Sequence, residues 1–298
     1  MKTRLRLVFF CAAVTLLSLN EAVAQQYPSV GFFTNTQLFF NPAYAGSGEG
    51  IRATGLYRAQ WTGVSGAPQT QIVVIDGPLG RGIGLGATVS RDKFFSYSQV
   101  DIMPSVSYRV NVGPETYVQA GLRAGVSIVN FGNDVFQWQA DDPLKNNESR
   151  NGVVPRIGAG LFLKAPKYFL GLSAPDLVNI DSKKIFYDNS TGKKTIKTNY
   201  FLTAGARLDV SEYITFVPNA MVRAYANRPI YAAVNAGFEF NQTVLFGVGY
   251  IYSNGFAAYT QIGFTPKIKA GYRFEYSPSD TNIGKYSTNE IMISYGIQ

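Results

Sequence analysis

Strict alternation of apolar and polar side chains, repeated along the chain, is the feature that most restricts its fold. From 268 to 277 one face reads Ile268, Ala270, Tyr272, Phe274, Tyr276 and the other Lys269, Gly271, Arg273, Glu275, Ser277. Val118, Ala120, Leu122, Ala124, Val126 and Ile128 oppose Gln119, Gly121, Arg123, Gly125 and Ser127 in the same way. Ile214, Phe216, Pro218, Ala220, Val222 and Ala224 oppose Thr215, Val217, Asn219, Met221 and Arg223. A helix would scatter each set around its circumference, so these segments are strands with one face in a greasy medium. That medium is either the core of a soluble sandwich or the lipid around a barrel.

Three observations favour lipid. The segments reach the ~9–11 residues that a membrane-crossing strand needs. Their apolar faces carry Tyr57, Tyr108, Tyr200, Phe246, Tyr250 and Tyr276 near the ends, where an interfacial girdle belongs. The opposite faces hold charges and glycines, which suit a wet or plugged lumen better than a dry core. The N-terminus supplies the route: Lys2, Arg4 and Arg6, then an apolar run from Leu7 to Leu19, then Ala22-Val23-Ala24 before Gln25. This reads as a secretory signal peptide over 1–24. Its removal would take the lone Cys11 with it, and the chain has no His at all. Ser-His and Cys-His catalytic pairs, His-ligated zinc and disulfides are therefore excluded from the exported chain. We expect no catalytic, cofactor-binding or metal site.

Strand segments are expected near 50–61, 68–76, 82–91, 98–110, 116–129, 153–164 and 167–175. Others follow near 198–208, 213–226, 230–240, 243–252, 255–265, 267–277 and 287–297. The fold class is thus all-β: a single antiparallel transmembrane outer-membrane β-barrel of about 14 strands, an even number as such barrels prefer. Short turns follow every second strand, at Gly77 to Arg81, Asn111 to Glu115, Ala165-Pro166, Asp209 to Glu212, Asn241-Gln242 and Pro266. The two longest connections, Asn130 to Gly152 and Asp176 to Lys197, fall on the opposite rim. Short periplasmic turns and long outer loops are the expected asymmetry. The chain divides into the signal peptide (1–24), a periplasmic N-terminal segment (25–48) and the barrel (49–298).

That N-terminal segment carries Thr36-Gln37-Leu38-Phe39-Phe40 followed by Asn41-Pro42-Ala43-Tyr44-Ala45-Gly46. With Tyr57-Arg58-Ala59-Gln60-Trp61 and Gly66-Ala67-Pro68-Gln69-Thr70, it resembles the opening blocks of the PorP/SprF family. Gly84-Leu85-Gly86 through Asp92, Gly121 to Gly125 and Gly171 to Leu177 continue the resemblance in order. The resemblance implies an outer-membrane component of type IX protein secretion and gliding motility. Its implied partners are periplasmic ring and motor proteins and secreted surface adhesins, besides outer-membrane lipid. With both chain ends in the periplasm, we expect the segment at the periplasmic rim, packed on the barrel floor or on a partner. Phe39, Phe40, Asn41, Pro42, Tyr44 and Gly46 are the candidate partner-docking residues.

Strand parity turns Arg52, Arg58, Arg109, Arg123, Arg156, Arg207, Arg223 and Arg273 into the lumen, with Asp101, Glu239 and Glu275 as counter-charges. An anion-selective pore would use such a row, and a passive porin-like channel is the alternative function. A paired network that fixes barrel shape is the plainer reading, and we favour it. Gly80, Gly82, Gly84 and Gly86 lack the spacing of a nucleotide loop and instead allow close approach of another part of the chain to one wall. Asp141, Asp142, Asn146, Asn147 and Glu148 lack an EF-hand pattern, and Lys183, Lys184, Lys193, Lys194 and Lys197 read as a hydrated loop. Trp61 ends a strand as an interfacial anchor; Trp138, with Phe131 and Phe136, forms a loop cluster or a partner surface. No motif points to nucleic acid, and a hydrolase is set aside because the familiar catalytic arrangements use His.

The topology has a direct check. Mild protease on intact cells should cut within 130–152 or 176–197 and spare Asp209 to Glu212. Consistent cleavage at Asp209 to Glu212 would invert the barrel.

Overall fold

The computed structural model describes residues 27–132, 150–178, 198–225, 229–252, 255–276 and 287–297. The signal peptide, most of both long loops, Trp138, and the acidic and lysine clusters lie outside these residues. Sixteen strand segments form one antiparallel sheet. They begin with β1 (Ile51–Ala59), β2 (Gln69–Gly80), β3 (Ile83–Phe94), β4 (Tyr97–Asn111), β5 (Tyr117–Phe131) and β6 (Arg150–Lys164). β7 (Tyr168–Val178), β8 (Asn199–Ala206), β9 (Leu208–Asp209), β10 (Ile214–Phe216) and β11 (Asn219–Tyr225) follow. β12 (Tyr231–Phe240), β13 (Val244–Ile251), β14 (Gly255–Gly263), β15 (Ile268–Tyr276) and β16 (Ser287–Ile297) complete the sheet.

β8 and β9 are one stave broken at Arg207, and β10 and β11 are another broken at Val217-Pro218. Pro218 has no amide hydrogen to give the ladder, which explains the second break. The segments therefore make a closed barrel of 14 staves. Closure runs along β1 and β16, from Ile51↔Ile297 to Ala59↔Asn289. Two hairpins turn on residue pairs with positive φ: Arg81 (52°) with Gly82 (80°), and Asn241 (48°) with Gln242 (55°). Two adjacent left-handed residues give the twist that flanking antiparallel strands require.

The two faces of the wall separate as the alternation predicts. Leu122, Val153 and Val248 are 60%, 64% and 64% exposed on the outside, and all six girdle aromatics are exposed there too. Inward neighbours such as Gln119, Arg123, Arg273 and Glu275 are buried. Trp61 stands at the end of β1 beyond the outward rows, edge-on to Phe94 with ring centroids 6.1 Å apart.

The lumen contains a hydrophobic core. Val30, Phe32, Phe33, Leu38, Phe39, Phe40 and Ala45 pack against Leu56, Ile72, Val74, Phe201, Met221, Leu245 and Met292 of the wall. The N-terminal segment thus lies inside the barrel, which corrects its expected place below the first strand at the rim. The reason is its composition, because its large apolar side chains gain far more from an enclosing wall than from a wet rim. Among its described residues the regular pieces are α1 (Gln37–Phe40) and a 3-10 turn over Pro42–Tyr44. Asn41 starts the second by accepting the Ala43 amide on its side chain at 2.9 Å.

Bare patches on the wall make room for this plug. A side chain at Gly84 would strike the Ala45 carbonyl, at Gly86 the Leu38 side chain, at Gly121 the backbone of Pro42 and Ala43, and at Gly160 the Asn41 amide. Close approach is therefore the role of Gly84 and Gly86, whereas Gly80 and Gly82 belong to the turn at positive φ rather than to the lumen face. Gly121→Leu should lower unfolding stability by about 1–3 kcal/mol through overpacking, whereas Ala120→Leu on the outward face should be nearly neutral. Guanidinium midpoints of the two variants check this; equal midpoints would mean that the plug does not press on β5.

Candidate functional site: the plugged lumen

The plug is held by its backbone, and the inward charges do the holding. Glu290, fully buried on β16, accepts the Gly31 amide at 3.0 Å and the Phe32 amide at 2.7 Å. The same carboxylate takes Arg58 at 3.0 Å, and Arg58 also reaches Glu275 at 2.6 Å. Arg273 extends the chain, bonding Glu275 through Nε at 2.8 Å and the Asn235 side chain through Nη1 at 2.9 Å. Two guanidinium groups and two carboxylates thus neutralise one another beside the β1–β16 seam. Such a cluster tolerates burial only when its members are paired and hydrogen-bonded.

A second cluster faces it across the lumen. Arg123 donates Nη1 to the Phe39 carbonyl and Nε to the Pro175 carbonyl, both at 2.8 Å, and lies 3.3 Å from Asp176. Arg156 pairs with the other oxygen of Asp176, also at 3.3 Å. Arg223 donates to the Tyr27 carbonyl at 2.7 Å, and the Tyr27 hydroxyl donates to the Phe39 carbonyl at 3.1 Å. The gap left among Tyr27, Phe39, Asp101, Arg123, Arg156 and Asp176 has a volume of about 10 Å³. That is room for about one water.

Near the mouth ringed by the short turns the pattern repeats. Asp76 accepts the Gly46 amide at 3.0 Å and lies 3.7 Å from Arg52, which donates to the Tyr44 hydroxyl at 2.7 Å. Arg109 donates to the Gly46 carbonyl at 2.8 Å while its guanidinium stacks 4.0 Å over the Tyr117 ring. Ser107 and Gln119 both donate to the Ala45 carbonyl, at 2.7 and 3.1 Å. The Asn41 side-chain amide donates to the Leu161 carbonyl and Ser173 to the Phe40 carbonyl, fixing the motif to β6 and β7.

The structure brings all eight expected arginines to carboxylates or to plug carbonyls; seven line the lumen, and Arg207 stands exposed at the break between β8 and β9. Glu239 pairs with Arg207, while Asp101 receives Ser90, Ser127 and Gln99 rather than an arginine. The candidate docking residues are placed differently from expectation. Phe39, Phe40, Asn41 and Pro42 are buried against the wall, Gly46 is enclosed between β2 and β4, and the Tyr44 ring packs edge-on to Phe162.

Sequence reasoning misses the three carboxylates that bind the plug backbone or the buried arginines, Glu290, Asp76 and Asp176. Glu290 alternates with the outward row of Ile291, Ile293 and Tyr295, so its inward direction is legible in the pattern. Asp76 is hidden because both faces of β2 are apolar, Ile72 and Val74 inward against Val73 and Ile75 outward. Asp176, expected at the start of the long loop after 175, lies within β7, which continues to Val178; the β6–β7 register jumps between Ile157↔Val178 and Ala159↔Ala174, and this bulge turns it inward.

Residues 22–295 match the family model described as Type IX secretion system membrane protein PorP/SprF. The chain belongs to the PorP/SprF family. It is an outer-membrane β-barrel protein, as the closed sheet and its apolar exterior require. No curated protein matches the sequence. Among solved structures, the Ralstonia pickettii toluene transporter TbuX aligns over 88% of this chain and 93% of its own, at 13% identity and a TM-score of 0.50. The Acinetobacter baumannii protein Omp33 aligns over 84% and 98%, at 9% identity and 0.46. The NanC porin aligns over 83% and 99%, at 10% identity and 0.44. The TbuX likeness at such identity is one of fold alone.

In this PorP/SprF barrel, Glu290 is the residue on which plug and seam meet. Glu290→Ala leaves Arg58 partly unpaired and two plug amides without an acceptor, and should cost about 3–5 kcal/mol. A cysteine at buried Val30 reports the plug directly: in Val30→Cys the thiol should resist maleimide, and adding Glu290→Ala should expose it. Protection unchanged in the double variant would show that Glu290 does not hold the plug.

Proposed function

We propose that this barrel is a non-enzymatic component of the type IX secretion machinery that works through its rims and loops rather than by conducting solutes. On this reading it docks periplasmic ring and motor proteins or anchors secreted adhesins at the cell surface, and serves gliding where the cell glides. One observation carries the proposal. Arg123 and Arg223, which an anion pore would present to passing solute, are engaged by the carbonyls of Phe39 and Tyr27. A wall whose charges hold a peptide in place is built for rigidity, and rigidity suits a platform. Family membership supports the secretion context, and the partners follow from it as part of the proposal.

The alternative is a passive porin-like channel, which would need the plug to leave. Two measurements separate the readings. Purification from native envelopes should recover ring, motor or adhesin proteins with the barrel. Planar-bilayer recordings should show little steady conductance. Large, stable, anion-selective currents that fall in Arg123→Glu, with no co-purifying machinery, would establish the channel instead.

A further inference from the structure

The outward rows of β1–β8 and β11–β16 carry apolar, small or amide side chains, with two exceptions among the described residues, Arg91 and Lys93. Both are exposed on β3, separated by Asp92. Asp92 points the other way and accepts Thr70 at 2.6 Å, so it does not neutralise them from the same face. Among the described residues neither cation forms an ion pair or side-chain hydrogen bond. The ladder sets Arg91 beside Gln71, and Lys93 between Gln69 and Ser98, with Asn130 opposite Ser98. Directly below, the row becomes Val73, Val89 and Ile102, the top of the apolar belt. On three other staves, β13, β14 and β15, the outward row ends at the same rim on an aromatic, Tyr250, Phe256 and Tyr276.

We propose that this face of β2–β5 is a binding site for the phosphorylated sugar headgroup of an outer-leaflet glycolipid. The level is right, because a cation on the lipid face is costly at the bilayer centre and nearly free at the interface. The chemistry is right as well. A guanidinium offers a fork to phosphate oxygens, an ammonium about 7 Å along the strand reaches a second anionic group, and the amides between them suit sugar hydroxyls. Phe95, exposed just above Lys93 at the β3–β4 turn, adds an aromatic face backed by Phe94 at 4.7 Å. The site goes beyond the platform reading and does not depend on it.

The test uses the full barrel in detergent, with bisphosphorylated lipid A, its dephosphorylated form and phosphatidylglycerol as probes. Retention is read by native mass spectrometry, and heat-modifiability verifies folding. Lipid A should bind the wild type, and Arg91→Gln/Lys93→Gln should weaken it at least about tenfold. The periplasmic-rim control Arg81→Gln/Lys267→Gln removes the same charge and should bind normally. Arg91→Lys/Lys93→Arg should retain most of the binding, and covers the case in which the neutral pair fails to fold. Equal binding of the dephosphorylated form or of phosphatidylglycerol would overturn the proposal in favour of unspecific interfacial attraction. Undiminished binding to the neutral pair would overturn it too.

Discussion

A buried charge must find a partner, and the interior of this barrel is organised by that requirement. The wall brings Arg58, Arg123, Arg223 and Arg273 into a space closed to solvent, where each would be prohibitive alone. Carboxylates on the wall meet part of the need: Glu275 and Glu290 on one side, Asp176 on the other. The plug's backbone meets much of the rest, giving carbonyls to the arginines and amides to Glu290 and Asp76. Apolar side chains of the same segment then fill the volume between the clusters. Wall and plug are incomplete without each other, so the lumen has the character of a protein core.

The architecture was legible because period two is hard to imitate. Strand positions, the fourteen staves, the short turns on one rim and the inward arginines all follow from alternation plus a lipid exterior. What alternation does not encode is who answers the charges. Glycines at 84 and 86 announce that something approaches the wall, without saying that the visitor is Leu38 and Ala45. Placing Phe39 and Phe40 at the rim follows from topology alone, which fixes where a terminus begins but not where apolar side chains take it. Asp176 escapes because β7 continues through a bulge past the point where the alternation stops, and Asp76 because Ile72 and Val74 make the inner face of β2 resemble its outer one. Each miss marks a place where tertiary packing overrides a local pattern.

The exterior is equally uneven. Most of the circumference meets lipid with valine, leucine and aromatic rings, while β3 alone among the described strands lifts two cations on its outward row. The barrel therefore presents one side to its surroundings that differs in charge from the rest of its described circumference.

At the seam, one carboxylate joins the beginning of the chain to its end. β1 and β16 meet beside the carboxylate that grips Gly31 and Phe32, and those residues precede every strand in the chain. The last stave in the chain therefore holds the first stave through Arg58 and the plug through Gly31 and Phe32 with one carboxylate, so that plug, first strand and last strand share a single joint.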